Sequence, residues 1–301
     1  AFRQVKNGRA FGEDGIPADV YKLAPALMAS FLHPLLVKEI ATVAEPVQHK
    51  GGMLIEHFKG NGANHTSCKS YRQLLLSDCL GKRFRSTVRS QFSNNVQDNF
   101  RKFQCACRKG FSTEFATQAV RTFRSVAHSN GRSSATIFLD VKTAYYSVIR
   151  QLCLEVTCAD EDIARLFKSL GIPPSAMHAL HKALGDKNIF QFFKVDDHIG
   201  DIVTEYFENT WFSTQLLPDV TEVIRGTRPG DPFADIVFGV LIAHILDKIE
   251  SAARAEDLIT TATWDGQRTL GKQGQAGCDE EIFDVSWADD VAIMLDAAST
   301  T

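Results

Sequence analysis

An α+β fold is predicted from three observations. Apolar stretches with helix-like patterning run over residues 18–43, 112–128 and 231–252. A short apolar, partly β-branched run, Ala135-Thr136-Ile137-Phe138-Leu139, ends on Asp140. Two more strand-like runs, 282–287 and 291–295, flank Ala288-Asp289-Asp290 and predict a β-hairpin with carboxylates at its turn.

Each element carries its own signals. A glycine-broken opening (8–17) leads into the first helical stretch, which Pro25 and Pro34 are expected to interrupt. Gly51-Gly52 and Gly60-Asn61-Gly62 mark loops in a basic region. Ser112, Thr113 and Glu114 suit the first turn of the second helix as cap residues. Asn130-Gly131 bounds the following strand, whose continuous apolar run reads as buried. Two helical stretches then surround Gly171-Ile172-Pro173-Pro174, and β-rich pieces are expected at 188–195 and 210–213. Pro232 falls in the first turn of the helix 231–252, where proline is tolerated.

With 301 residues the chain forms one large domain or two modest ones, and 44% hydrophobic residues supply a real core. No run of about 18 apolar residues is present, so no membrane-spanning helix is expected. The start at Ala1 shows no signal-peptide pattern and reads as the interior of a longer chain. Seven cysteines, an odd number without a Cys-x-x-Cys pair, indicate neither a disulfide-linked partner nor a zinc site, and fit a reduced intracellular compartment. His178 and His181 share a helix face and read as packing or surface residues rather than metal ligands.

The net charge of −3 conceals an asymmetry: residues 1–150 carry a balance of +12 and residues 151–301 one of −15. Eleven basic residues against two acids lie between Lys59 and Lys109. That segment is either a phosphate-neutralising surface or an ordinary solvated basic face.

Adjacent acids between apolar strands are costly unless solvated, paired or bound to a cation. Asp140 ends an apolar strand and Asp289-Asp290 sit at a hairpin turn, so two strands lying side by side would cluster three carboxylates. Hard divalent cations with oxygen ligands remove the resulting repulsion. Two Mg²⁺ ions about 3.5–4 Å apart, with Mn²⁺ as a substitute, support phosphoryl transfer by positioning and charge.

These residues resemble the reverse transcriptases of non-LTR (LINE-type) retrotransposons, with motifs in the family's order along nearly the whole chain. Phe138-Leu139-Asp140-Val141-Lys142-Thr143-Ala144-Tyr145 is similar to the first palm motif. Gly226-Thr227-Arg228-Pro229-Gly230-Asp231-Pro232 is similar to the second, and Trp287-Ala288-Asp289-Asp290 to the Tyr-Ala-Asp-Asp hairpin. Upstream, Gly12-Glu13-Asp14-Gly15-Ile16-Pro17-Ala18, Lys59, Ser70-Tyr71-Arg72-Gln73 and the segment 104–113 resemble the opening and fingers motifs.

The resemblance implies a right-hand polymerase fold with fingers at 1–130 and a palm with an antiparallel sheet and packed helices at 131–301, incomplete at its end and lacking the thumb. It implies Asp140, Asp289 and Asp290 as catalytic metal ligands for Mg²⁺. It implies Lys59, Arg72, Val141, Tyr145 and Gly230 as nucleotide-binding residues, Tyr145 being the gate against ribonucleotides. Arg108, Lys109 and Ser112 would contact nucleic acid. RNA template, DNA primer and dNTPs are the implied partners, and a nuclear location is expected. The chain departs from the family at Pro229 for Gln, Ala234-Asp235 for Ser-Pro and Trp287 for Tyr. The alternative is a degenerate, catalytically inactive remnant that at most binds nucleic acid.

Overall fold

The structure, a computed structural model, describes residues 2–60, 62–141, 143–154, 160–173, 175–176, 189–215, 217–264 and 278–298. In chain order the helices are α1 (Ala18–Leu23), α2 (Pro25–Thr42), α3 (Cys79–Val96), α4 (Thr113–Ser129), α5 (Ala144–Ser147), α6 (Arg150–Cys153), α7 (Asp160–Ser169), α8 (Ile189–Phe192), α9 (Asp197–Glu205) and α10 (Ala234–Ala255). The strands are β1 (Met53–Phe58), β2 (Tyr71–Leu76), β3 (Arg132–Asp140), β4 (Trp211–Thr214), β5 (Leu217–Glu222), β6 (Thr260–Trp264), β7 (Cys278–Ile282), β8 (Asp284–Trp287) and β9 (Asp290–Ala298). The fold is mixed α+β, and no described helix is long and apolar enough to cross a membrane. Cys68, Cys79, Cys105 and Cys153 are free thiols.

The chain divides into two compact units, Ala1–Asp98 with Tyr145–Val237, and Asn99–Ala144 with Phe238–Thr301. The chain crosses between the two units at 98/99, 144/145 and 237/238.

The first unit holds a four-stranded sheet in the order β2-β1-β4-β5. β1 and β2 pair antiparallel from Met53↔Leu76 to Phe58↔Tyr71. Its apolar core is aromatic: Phe92, Phe193, Tyr206, Phe207 and Phe233 are almost fully buried. Phe92 meets Phe190 and Phe233 edge-on at 5.6 and 5.7 Å, arrangements that add about 0.5–1.5 kcal/mol each beyond area burial.

A charged cluster sits inside this unit. Arg85 is 2% exposed and grips Glu45 with two bonds, Nε to Oε1 at 2.7 Å and Nη2 to Oε2 at 2.5 Å. Its Nη1 pairs with Asp231, which also accepts from Arg228 Nη2 at 2.8 Å. Burial works against the Asp231 charge, but the Arg85 and Arg228 guanidinium groups outweigh it and hold the carboxyl below its usual value. Arg150, also buried, pairs with no carboxylate among the described residues. It instead donates to the carbonyls of Gly226, Phe207 and Val223 at 2.7, 2.9 and 2.8 Å and to Thr210 Oγ1 at 2.7 Å. Buried charges need this degree of satisfaction, because breaking one partner of such a set costs about 3–5 kcal/mol.

The second unit is built on the antiparallel sheet β3-β9-β8, and β6 pairs with β7 in a separate two-stranded sheet. Cys105 N–H donates to Ser286 O at 2.8 Å and Ser286 N–H to Phe103 O at 3.2 Å, which lays the segment 103–105 along β8. α4 covers one face. Ser112 caps it by accepting from Phe115 N–H at 3.3 Å. Its residues Ala116, Ala119, Val120 and Phe123, at helical spacing, pack with Cys105, Val285 and Met294.

Several expectations need correction. Pro34 does not interrupt α2, which runs from Pro25 to Thr42. Proline's fixed φ suits a helix, and the Ala/Leu-rich sequence around it compensates for the lost hydrogen bond. Residues 188–195 are not β-rich where described: Ile189–Phe192 is helical, because Ile189 and Phe193 fall on one buried face at i,i+4 spacing. α10 starts at Ala234 rather than 231, because Asp231 Oδ1 accepts from Phe233 N–H at 2.8 Å and holds the preceding residues in a turn. Pro232 therefore precedes the helix. The strand ending on Asp140 is longer than expected and exposed rather than buried, being the edge of its sheet with no described partner on its outer side. The first hairpin arm begins at Asp284, since 278–282 pairs with β6 instead. His178 and His181 lie outside the described residues.

The buried cluster carries a pH dependence. Tyr206 Oη donates to Glu39 Oε1 at 3.1 Å. Burial, reinforced by the Glu45 charge, pushes the Glu39 carboxyl up to about 7, while burial and the Arg85 charge lower His49 to about 4. Glu39 Oε2 and His49 Nδ1 lie 4.0 Å apart, yet between these values both groups are neutral and form no ion pair. The folded chain holds the Glu39 proton above the ordinary value of 4.5, so its stability falls as pH rises from 4.5 through about 7. Glu39→Gln is expected to stabilise the protein by about 2–3 kcal/mol at pH 8 and to change nothing at pH 4 in urea unfolding. A pH-independent difference would remove the proton from this account.

Candidate functional site

The carboxylates are placed by strand register. β3 and β9 pair residue for residue from Arg132↔Ala298 to Asp140↔Asp290, so Asp140 and Asp290 are direct cross-strand partners. β8 joins β9 through Ala288-Asp289, with Trp287↔Asp290 closing the hairpin. Ala288 has φ 54°, the positive value that such two-residue turns require. Asp140 and Asp290 are exposed and Asp289 half-buried. Among the described residues none of the three has a hydrogen-bonding or cationic partner.

Directly opposed side chains on neighbouring strands have Cβ atoms about 4.5–5.5 Å apart, and like charges there repel. Two carboxylates so placed offer the hard oxygen donors that Mg²⁺ takes, and the donor set fits such an ion. The register brings Asp290 opposite Asp140 and leaves Asp289 in the turn beside them. Among the described residues no group of three or more His, Cys, Asp or Glu side chains gathers closely enough to hold a metal. Asp140 and Asp290 open into a hollow of about 460 Å³ between α4 and the sheet, with Phe138, Trp287 and Ala292 on the same strand face.

The nucleotide-binding candidates fall in both units. Val141 follows β3 in the unit of the carboxylates and accepts from Ala144 N–H at 3.2 Å. In the other unit, Arg72 on β2 pairs with His57, and Lys59 directly follows β1, its N–H donating to Ser70 O at 2.9 Å. Lys59 Nζ donates to Lys69 O at 2.5 Å, and Arg72 has no partner among the described residues. Tyr145 and Gly230 share a hollow of about 370 Å³ with Arg89, Pro229 and Asp235. Thr227 N–H donates to Tyr145 O at 2.7 Å, Gly226 N–H to Val148 O at 2.8 Å and Leu75 N–H to Pro229 O at 3.2 Å. The second-motif turn is thereby tied both to the Tyr145 segment and to the strand that carries Arg72.

The nucleic-acid candidates fare unequally. Arg108 Nη1 donates to the carbonyls of Arg101 and Lys102 at 3.0 Å, and its guanidinium stacks on Phe111 at 4.3 Å. Ser112 is occupied as the α4 cap. Lys109 is exposed. Much of the basic segment is likewise engaged within the chain: Arg85 with Glu45 and Asp231, Arg89 with Asp235, Arg101 with Asp247, Glu250 and Asp284, and Lys102 with Glu280.

Sequence reasoning missed Arg85 and Arg150, the cations that fix the turn 226–231 from beneath. No signal in the basic run 59–109 marks Arg85 as buried, and Arg150 stands outside that run as a single cation among apolar neighbours.

Gly230 tests this packing. Its φ is 104°, and an added Cβ would sit 2.8 Å from Leu75 O. Gly8 also has a positive φ, 64°, but open space around it. Gly230→Ala is expected to lose about 2–4 kcal/mol in denaturant unfolding and Gly8→Ala only about 1–2; equal losses would mean the turn does not press on β2. No protein-family model matches this chain, and no curated protein matches it.

Proposed function

We propose that the chain carries the fingers and palm of an RNA-directed DNA polymerase of the non-LTR retrotransposon type. The observation that carries this reading is the direct pairing of Asp140 with Asp290 at the ends of two adjacent strands, beside Asp289 and without any neutralising partner among the described residues. Two unpaired carboxylates in that position are repulsive on their own and become favourable when a divalent cation is held between them.

In this reading Asp140 and Asp290, with Asp289 in the turn, would hold Mg²⁺, which supplies charge neutralisation for phosphoryl transfer. Lys59 and Arg72 meet the charge of a triphosphate, Arg72 by the paired donors of its guanidinium. Tyr145, with its backbone fixed by Thr227, presents a ring that excludes a 2′-hydroxyl, and Gly230 keeps the neighbouring backbone bare. Lys109 remains free for a phosphate of the template, whereas the Arg108 donors are directed at carbonyls of the chain. One observation favours the inactive-remnant alternative: no group of three ligating side chains gathers at the hairpin among the described residues.

The two readings separate by primer extension on an RNA template with Mg²⁺ and dNTPs. The polymerase reading expects a DNA product, reduced at least about 100-fold by Asp140→Asn, the usual scale for losing a charge-stabilising group. No product from the wild type, or equal product from Asp140→Asn, leaves the remnant.

A further inference from the structure

The hollow between α4 and the sheet contains more than its carboxylates. Phe138 is 75% exposed, unusual for a large apolar residue in the interior of a nine-residue strand. It lies on the same strand face as Asp140, opposite Ala292, and its ring lines the hollow together with Trp287, Ala116 and Val120. The helix wall bears Arg121 and Arg124, both exposed. Among the described residues neither has a hydrogen-bonding or ionic partner. This sets them apart from Arg85, Arg89, Arg101, Arg132 and Arg254, each of which meets a carboxylate.

An accessible ring flanked by two free guanidinium groups is the chemistry that holds a single nucleic-acid strand. Bases stack on the ring whatever their identity, and guanidinium groups take phosphate oxygens two at a time. Residues at i and i+3 on a helix are neighbours about 5–6 Å apart at Cβ, so Arg121 and Arg124 can serve successive phosphates. A docked apolar peptide would use the ring and leave both guanidinium groups without purpose.

We propose that this hollow binds single-stranded nucleic acid, with Phe138 as the stacking platform and Arg121 and Arg124 as phosphate contacts. The proposal rests on the polymerase reading for its context, and its test is independent of catalysis.

The experiment is fluorescence anisotropy of a labelled 12-nucleotide single strand with the full chain in EDTA, across a salt series. Wild type is expected to bind saturably. Phe138→Ala should weaken binding about 5- to 100-fold, and Phe138→Tyr should restore it. Arg121→Ala with Arg124→Ala should flatten the slope of log K against log salt by about 1.4, since each single-strand phosphate contributes about 0.7. Arg9→Ala, in the exposed opening segment, should change neither. No binding by wild type, or binding indifferent to both Phe138 and the arginine pair, overturns the proposal. So does equal, Phe138-dependent binding of dATP alone, which makes the hollow a mononucleotide site. Phe138-dependent strand binding without primer extension overturns the polymerase reading and leaves this one standing; extension with Phe138-independent binding does the reverse.

Discussion

The register between β3 and β9 is the constraint on which the carboxylate site depends. Nine consecutive cross-strand pairs set the direction of every side chain near the hairpin. A slip of one residue would send Asp140 to the opposite face from Asp290, since side chains alternate along a strand. The slip is opposed by the buried face: Met294, inside the core with Phe123 and Cys105, would move to the outer surface. Register, core and site are therefore one decision, and the two-residue turn at Ala288-Asp289 fixes the pairing of β8 with β9 at the same end as the carboxylates.

The other unit depends on a different interaction, the buried grip of Arg85 on Glu45 and Asp231. It is the deepest instance of a general pattern in which the basic first half of the chain is neutralised by the acidic second half. Arg85 with Asp231, Arg89 with Asp235, Arg101 with Asp284 and Arg132 with Asp296 are all pairs across that divide. Most exposed ion pairs contribute about 0–1 kcal/mol, but Arg85 is inaccessible to water and its partners cannot be left alone. The turn 226–231 is held from beneath by Arg85, Arg150 and Arg228, and from the side by β2. Conformational freedom there is small, which suits a segment whose backbone must keep a fixed shape beside Tyr145.

What could be read from the sequence follows the physics of local signals. The α4 cap at Ser112, the strand ending on Asp140 and the hairpin around Ala288-Asp289 are written in short patterns of cap, β-branched and turn residues. The exposure of Phe138 was not legible, because an apolar run does not say whether its strand lies at the edge of a sheet. The helix at Ile189–Phe192 was obscured by aromatic residues whose burial depends on Phe92, nearly a hundred positions away. The charge asymmetry was visible, but its resolution into specific pairs was not, because the partners lie up to 183 positions apart. The carboxylates were found as residue types in a pattern; that Asp290 rather than Asp289 stands opposite Asp140 came only from the register.

The central claim is that Asp140 and Asp290, brought together by that register, form a cation site. Titration with Mn²⁺, following the free ion by electron paramagnetic resonance, tests it without recourse to catalysis. Wild type should bind Mn²⁺ saturably in competition with Mg²⁺, and Asp140→Asn and Asp290→Asn should each weaken binding at least about tenfold, the loss of about 1.4 kcal/mol expected for one of very few charged ligands. Absence of binding, or affinity unchanged by both substitutions, would contradict the account.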